Sequence, residues 1–114
     1  MLRPTVGWRG PSNRSQVGVW AVIQAGTTGK LHGSYNVSAY TDNGAGDHTL
    51  TFVVPFASAS DYAIVCGTMA TNRTVTFVDQ DNRAAASSVR VVTINASNSL
   101  TDIDPTTVLC VGRR

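Results

Sequence analysis

The chain has 114 residues, enough for one compact domain that buries a hydrophobic core without metals or disulfides. Nine Lys plus Arg residues stand against seven Asp residues, and the arginines are spread out rather than gathered into the basic stripe of a nucleic-acid-binding protein. Glutamate is absent and Lys30 is the only lysine, so two strong helix-forming residue types are almost missing. The many Thr, Val, Ser, Asn and Gly residues favour strands and turns instead.

The first segment, Met1–Gln16, has no apolar periodicity and contains several Pro and Gly residues, which predicts an extended arm. Trp8 is a large aromatic residue in this otherwise polar stretch. Such a residue either docks onto another chain or folds back onto its own domain, and the sequence leaves both open. We expect Trp8, Arg9 and Pro11 to be the partner-binding residues of the arm.

Residues 17–114 are expected to form a single all-β domain, an antiparallel β-sandwich of about seven short strands. Turn signals separate the strands at intervals of roughly ten residues, as in known sandwiches. The predicted strands are Val17–Gln24, Ser34–Tyr40, Asp47–Val54, Asp61–Met69, Arg73–Val78, Ser87–Ile94 and Thr107–Gly112.

The hairpin formed by Ser34–Tyr40 and Asp47–Val54 carries the clearest local signal. Both runs alternate in polarity, and the Asn-Gly turn within Asp42–Gly46 lies between them. Alternation puts Tyr35 on one face of the first strand and Tyr40 on the other. We expect Asp47 to accept hydrogen bonds from backbone N–H groups of the turn.

The segment Ser34–Phe52, SYNVSAYTDNGAGDHTLTF, resembles a segment that recurs in tail-fibre and tail-associated proteins of tailed bacteriophages. The recurring pattern is an aromatic residue, Asn-Val-Ser-Ser, an Asn-Gly turn, Gly-Asp-Tyr, and alternating Thr and apolar residues ending at Phe. This chain has His48 at the aromatic position and Ala39 at the second serine. The likeness extends to residues 20–29 and 61–65, and beyond them only a pattern of strands is shared.

The resemblance implies a structural virion protein, a module of a tail fibre or fibre tip that contributes to host attachment. Because fibres are built on threefold axes, it also implies a homotrimer, anchored to another virion protein through the arm. Two alternatives stay open, a capsid decoration or head-fibre protein and a lectin-like module that binds a host-surface glycan.

The sequence predicts no enzyme, no metal site and no cofactor. His32 and His48 lack metal-binding spacing, although one His per chain at a trimer axis remains an alternative. Glycan hydrolysis needs paired carboxylates, but the candidate aspartates lie in polar loops where Asp is a common turn residue. These candidates are Asp79, Asp81, Asp102 and Asp104.

Two further expectations concern the cysteines and the place of assembly. Cys66 and Cys110 lie in apolar runs and are expected to be buried and unpaired. The sequence has neither the apolar core of a signal peptide nor a run of roughly 20 apolar residues. We therefore expect assembly in the host cytoplasm and no membrane insertion. Location in the virion is what the resemblance implies.

If the seven strands alternate up and down, the turns fall into two sets. The turns at 42–46, 70–72 and 95–105 then share the end where the arm enters, and those at 25–33, 55–60 and 79–86 share the opposite end. A fibre tip should meet the cell through the end away from its anchor. The predicted receptor contacts are therefore Lys30, His32, Asp79, Asp81, Asn82 and Arg83.

Overall fold

A computed structural model of the chain describes residues 16–24, 30–68, 75–78 and 84–113. These ranges contain no helix, and so none that is long and apolar enough to cross a membrane. They form nine strands: β1 (Gln16–Gln24), β2 (Lys30–Tyr35), β3 (Val37–Gly44), β4 (Asp47–Phe52), β5 (Tyr62–Thr68), β6 (Val75–Val78), β7 (Ala84–Ala85), β8 (Ser88–Ile94) and β9 (Thr106–Arg113).

The strands make two antiparallel sheets, which confirms the predicted β-sandwich. The first sheet has the order β2-β1-β9-β5. The second has the order β3-β4-β8-β6, and the two-residue strand β7 pairs with the start of β8. Alternate residues of each strand therefore face the other sheet or the outside.

The core lies between the inward faces of the two sheets. The first sheet supplies β-branched and small side chains from its two central strands, β1 and β9. The second sheet supplies Leu and Phe side chains from β4 and valines from β8. The buried hydrophobic cluster comprises Val19, Ala21, Ile23, Leu50, Phe52, Phe56, Val89, Val91, Val108 and Cys110. Along β4 the alternating residues His48, Leu50 and Phe52 share the inward face, and all three are buried.

One predicted strand, Ser34–Tyr40, is two strands in the structure. Asn36 separates them with a backbone φ of 61°, a left-handed conformation that Asn tolerates better than most residues. Its amide side chain then binds the end of β4: Asn36 Nδ2 donates to Val54 O at 3.2 Å, and Val54 N donates to Asn36 Oδ1 at 2.8 Å. The chain thereby passes from the first sheet to the second.

Tyr35 and Tyr40 face opposite sides, as alternation predicts, but Val37, which alternation groups with Tyr35, lies on the side of Tyr40. Tyr35 is exposed at the end of β2, whereas Tyr40 packs against the core together with Val37. The pairing of β3 with β4 shifts between Val37 and Ala39, which marks an irregularity of the β-bulge kind. This shift puts residues three apart, rather than two apart, on the inward side.

The split at Asn36 reverses the direction expected for the later strands. We call the end that holds Gln16 and Arg113 the entry end, and the opposite end, where β9 begins at Thr106, the far end. Gly46 N donates to Asp102 Oδ1 at 2.7 Å, and Asp102 shortly precedes β9, so the β3–β4 turn lies at the far end. The simple alternation that put this turn at the entry end was therefore wrong.

Replacing Asn36 with glycine should lower the free energy of unfolding by about 1–3 kcal/mol. Glycine accepts the positive φ, so the variant removes only the two hydrogen bonds to Val54 and leaves its partly buried backbone groups unpaired. Urea unfolding monitored by circular dichroism measures the change. A matched Ser38→Gly variant, which removes an exposed hydroxyl bonded to Thr51 O at 3.2 Å, should cost less. Equal losses in the two variants would contradict this role of Asn36.

Candidate interaction surface

The polar side chains of the β3–β4 hairpin bind one another and the hairpin backbone. Asn43 Nδ2 donates to Thr49 Oγ1 at 2.8 Å and to Asp47 Oδ1 at 3.3 Å. Gly44 N donates to Asp42 Oδ1 at 3.0 Å, so Asp42 is the residue that closes the turn. The hairpin therefore uses these polar groups to hold its own shape.

Asp47 has a different role from the predicted one. Its carboxylate accepts two hydrogen bonds from the neighbouring strand, at 2.8 Å from Arg90 Nε and 2.6 Å from Arg90 Nη2. This bidentate bond to the guanidinium holds the pKa of Asp47 below its usual value. Asp47 thus links β4 to β8 on the outer face of the second sheet.

His48 is a buried histidine with polar neighbours on both ring nitrogens. Its side chain is 1% exposed, and its ring stacks on that of Tyr40 with centroids 5.8 Å apart. The Tyr40 hydroxyl and His48 Nδ1 share a hydrogen bond of 2.9 Å, and His48 Nε2 lies 3.9 Å from Asp102 Oδ1. Burial lowers the pKa of His48, although the nearby Asp102 and Asp42 carboxylates act in the opposite sense.

The described residues contain no group of three or more His, Cys, Asp or Glu side chains placed to hold a metal ion. Cys66 and Cys110 are free thiols in the structure. Cys66 lies opposite Val108, and Cys110 lies opposite Ile64, so the two cysteines are diagonal neighbours on β5 and β9. Diagonal Cα atoms are about 7–8 Å apart, which is too far for an unstrained disulfide. Burial raises the pKa of Cys66 to about 11 and of Cys110 to about 12, which disfavours the thiolate form of both side chains.

The buried His48 should make the fold less stable in mild acid. Burial disfavours the charged imidazole in the folded chain, whereas the unfolded chain takes up a proton near the ordinary pKa of 6.5. The contribution of His48 to stability is therefore fully present above that value and falls as the pH drops from it toward the lowered pKa of the folded chain. Urea unfolding midpoints at about pH 7.5 and about pH 5.5 measure the change. His48→Gln should remove this component and the exposed His32→Gln should retain it; an equal loss in both variants would contradict the assignment.

The outer face of the first sheet carries a continuous row of exposed apolar side chains. Tyr35 of β2 lies opposite Trp20 of β1, Trp20 lies opposite Leu109 of β9, and Leu109 lies opposite Val65 of β5. These four residues, the apolar row, are 60%, 45%, 45% and 62% exposed respectively. The neighbouring pair Ala63 and Val111 is also exposed and extends the apolar surface toward the entry end.

The outer face of the second sheet is different in character. A row across it runs through Thr41, Thr49 and Arg90, and the Asp47–Arg90 ion pair lies beside this row. Polar and charged outward residues are the ordinary composition of a solvated sheet face. Among the described residues, the first sheet thus exposes an apolar row on its outer face, whereas the outward residues Thr41, Thr49, Asp47 and Arg90 of the second sheet are polar.

A shallow depression of about 330 Å³ lies beside the apolar row on the first sheet. Its lining includes Trp20, Val65 and Leu109 together with Gly67 and Thr107. Because Gly67 has no side chain, the depression stays open at this position. A Cβ at Gly67 would lie 3.1 Å from Thr107 Oγ1. The Trp20 ring reaches Gly33 of β2, with ring atoms 3.5 and 3.6 Å from the position of a Cβ there. The surface therefore has both protruding rings and a recess.

Most residues predicted to contact partners lie outside the described ranges. These are the arm residues Trp8, Arg9 and Pro11 and the loop residues Asp79, Asp81, Asn82 and Arg83. Lys30 begins β2 at the far end, and His32 is exposed on the same strand. The simple alternation of turns that nominated the receptor contacts is overturned. The contacts themselves are not tested by the described residues and stay predictions.

The comparisons with known proteins give no match. No protein-family model, no curated protein and no solved structure matches the chain.

Proposed function

We propose that the chain is a structural protein of a tailed bacteriophage, a trimeric module of a tail fibre or fibre tip that contributes to host attachment. The observation that carries the assembly role is the apolar row, four exposed side chains across the outer face of the first sheet. An exposed apolar patch of this extent is typical of surfaces that bind another protein. The resemblance of Ser34–Phe52 to tail-fibre segments supports the virion location.

The internal bonding of the hairpin supports a scaffold role for this segment. The polar side chains of this segment form hydrogen bonds within the chain, as those of Asn36, Asn43 and Asp47 show. Buried and turn-forming polar groups generally need such partners. No cleft with converging acids, nucleophile and base is needed for such a role, because a fibre module transmits attachment through its shape and its contacts. In this proposal the arm anchors the module to another virion protein.

A lectin-like role is the second candidate, and one observation favours it. Trp20 and Tyr35 are exposed side by side, and aromatic rings can stack on sugar rings. Specific glycan recognition also needs hydrogen-bonding groups around the rings, because a pocket uses precisely placed polar groups to fix its ligand. Leu109 and Val65 complete the row and supply none, so the surface fits a protein partner better.

Fractionation of the virion tests the proposed function. Antibodies against the purified chain should label isolated tails of the phage that encodes it, with no signal from isolated heads. Signal confined to heads would favour the decoration or head-fibre alternative. Absence of the chain from both fractions would overturn the virion role. A glycan array probed with wild type and a Trp20→Ala variant tests the lectin alternative, which requires binding that the variant loses.

A further inference from the structure

We propose that the apolar row is the contact between copies: the outer face of the first sheet packs against the same face of two other chains around a threefold axis. Tyr35 and Trp20 form the aromatic half of the row, and Leu109 and Val65 form the aliphatic half. The aromatic half of each chain packs against the aliphatic half of the next. This inference rests on the proposed function, since it names the surface through which the proposed homotrimer forms.

The order of the side chains across the sheet fits a second copy of the same chain. The bulky residues occupy β2 and β1, and the smaller ones occupy β9 and β5. When copies are related by a rotation that brings one edge of the sheet against the other, Tyr35 meets Val65 of the neighbouring copy. Large side chains then meet small ones, which allows the close packing that interfaces share with protein interiors. Such a head-to-tail contact closes into a ring when the rotation is threefold.

The lack of charge in the apolar row also favours another copy of the chain as its partner. The four residues of the row are uncharged, and Asp61 and Arg113, toward the entry end, pair with each other at 3.0 Å. A strongly acidic or basic partner would find no complementary charge in the row, whereas another copy of the same uncharged row pays no desolvation penalty for ions. Trp and Tyr are also the residue types that most often dominate binding at the centre of an interface.

The recess on this face fits a ring from a neighbouring copy. The depression of about 330 Å³ beside Val65 gives room for a Tyr35 ring from the next chain. A protruding ring on one chain and a recess on the next supply the shape complementarity that a specific contact needs.

A charge placed in the row should separate the copies. Val65→Arg puts a guanidinium into the proposed contact, and Val53→Arg is the matched control, because Val65 and Val53 are 62% and 61% exposed and Val53 lies outside the first sheet. We expect light scattering behind size exclusion to give three chains for wild type and Val53→Arg and one chain for Val65→Arg. Leu109→Arg and Leu100→Arg, 45% and 51% exposed, form a second matched pair. Trimers that persist in both Val65→Arg and Leu109→Arg would overturn the assignment of the surface.

Cysteine crosslinking tests the arrangement directly and does not depend on disrupting it. In the double variant Tyr35→Cys, Val65→Cys, mild oxidation should link neighbouring chains and give a covalent trimer on denaturing gels. Each single variant should stay uncrosslinked, because its new cysteine meets no cysteine of the neighbour, and Cys66 and Cys110 point to the core side. Crosslinking in the Tyr35→Cys single variant would show aromatic halves meeting each other and would overturn the proposed order. A covalent dimer as the end product would overturn the threefold axis.

The outcomes separate this inference from the proposed function. A wild-type trimer that resists both arginine variants and gives no crosslink refutes the surface and leaves the trimeric virion module standing. A trimer that behaves as expected in a chain absent from the virion refutes the proposed function and leaves the surface standing. A wild-type monomer at all concentrations refutes both.

Discussion

Replacing Gly46 with alanine is expected to lower the free energy of unfolding by about 3–5 kcal/mol, a large part of the stability of a domain of this size. Gly46 has a φ of 66°, where a side chain costs about 1–2 kcal/mol. A Cβ would also lie 2.5 Å from both Thr101 N and Thr93 O. These are backbone atoms, so the strands must separate to make room.

The separation would break the far-end junction of the sandwich. Gly46 O accepts from Thr93 N at 2.9 Å, Thr101 N donates to Thr93 O at 3.0 Å, and Gly46 N donates to Asp102. Thermal unfolding should show a melting temperature lower by roughly 10–20 °C. The matched Gly18→Ala variant should change little, because its nearest neighbour, Cys110 O, is 4.0 Å away. A Gly46→Ala melting temperature within about 2 °C of wild type would contradict this account of the junction.

Replacing Phe56 with alanine should cost about 3–5 kcal/mol, the usual range for removing a buried aromatic ring. Phe56 is 3% exposed and lies between the two sheets at the entry end. Its ring stacks on Tyr62 of β5 with centroids 4.0 Å apart and meets Phe52 of β4 edge-on at 5.4 Å. The ring therefore fastens a strand of each sheet to the loop between them.

Tyr62 strengthens the same contact with a polar bond. Its hydroxyl donates to Ala85 O at 2.9 Å, across the sandwich, and burial raises the pKa of Tyr62 to about 12. Phe56→Ala leaves one side of this ring without contacts, so urea unfolding should show a lower midpoint. Phe56→Leu should recover more than half of the loss, and Val53→Ala in the same loop should stay within about 0.5 kcal/mol of wild type. Equal midpoints for Phe56→Ala and Val53→Ala would contradict this role of the ring.

Alternation of polar and apolar residues predicted those strands that have one polar face and one apolar face. β4 alternates Thr with His48, Leu50 and Phe52, and these three residues are all buried. The break at Asn36 could not be read in the same way, because Asn fits an alternating strand as well as it fits a positive φ. What decides between them is the bond of its amide to Val54, and that contact exists only in the folded chain.

The apolar row was missed for a related reason. Apolar residues occur at consecutive positions in Val19–Ile23 and Val108–Val111, so both faces of β1 and β9 are apolar. Such runs suggest a strand buried on both sides, and sequence alone does not say whether the outer cover comes from the same chain. Within the described residues no element covers Trp20 or Leu109, which are each 45% exposed.

His48 and Asp102 show a third limit of prediction from the sequence. The two residues are far apart in sequence, and Asp102 was predicted as one member of a polar loop. The loop folds back because Asp102 accepts from Gly46 N and Thr93 Oγ1 donates to Thr101 O at 2.5 Å. Long-range bonds of this kind depend on how the sheets are stacked, and no local pattern encodes them.

The solution mass of the purified wild-type chain tests the central claim most directly. Light scattering behind size exclusion, repeated over a range of loading concentrations, measures it without any substitution. We predict a mass of three chains, which is the mass expected if the apolar rows of three copies cover one another. A mass of one chain at every concentration would contradict the account and would leave the row free for a different partner.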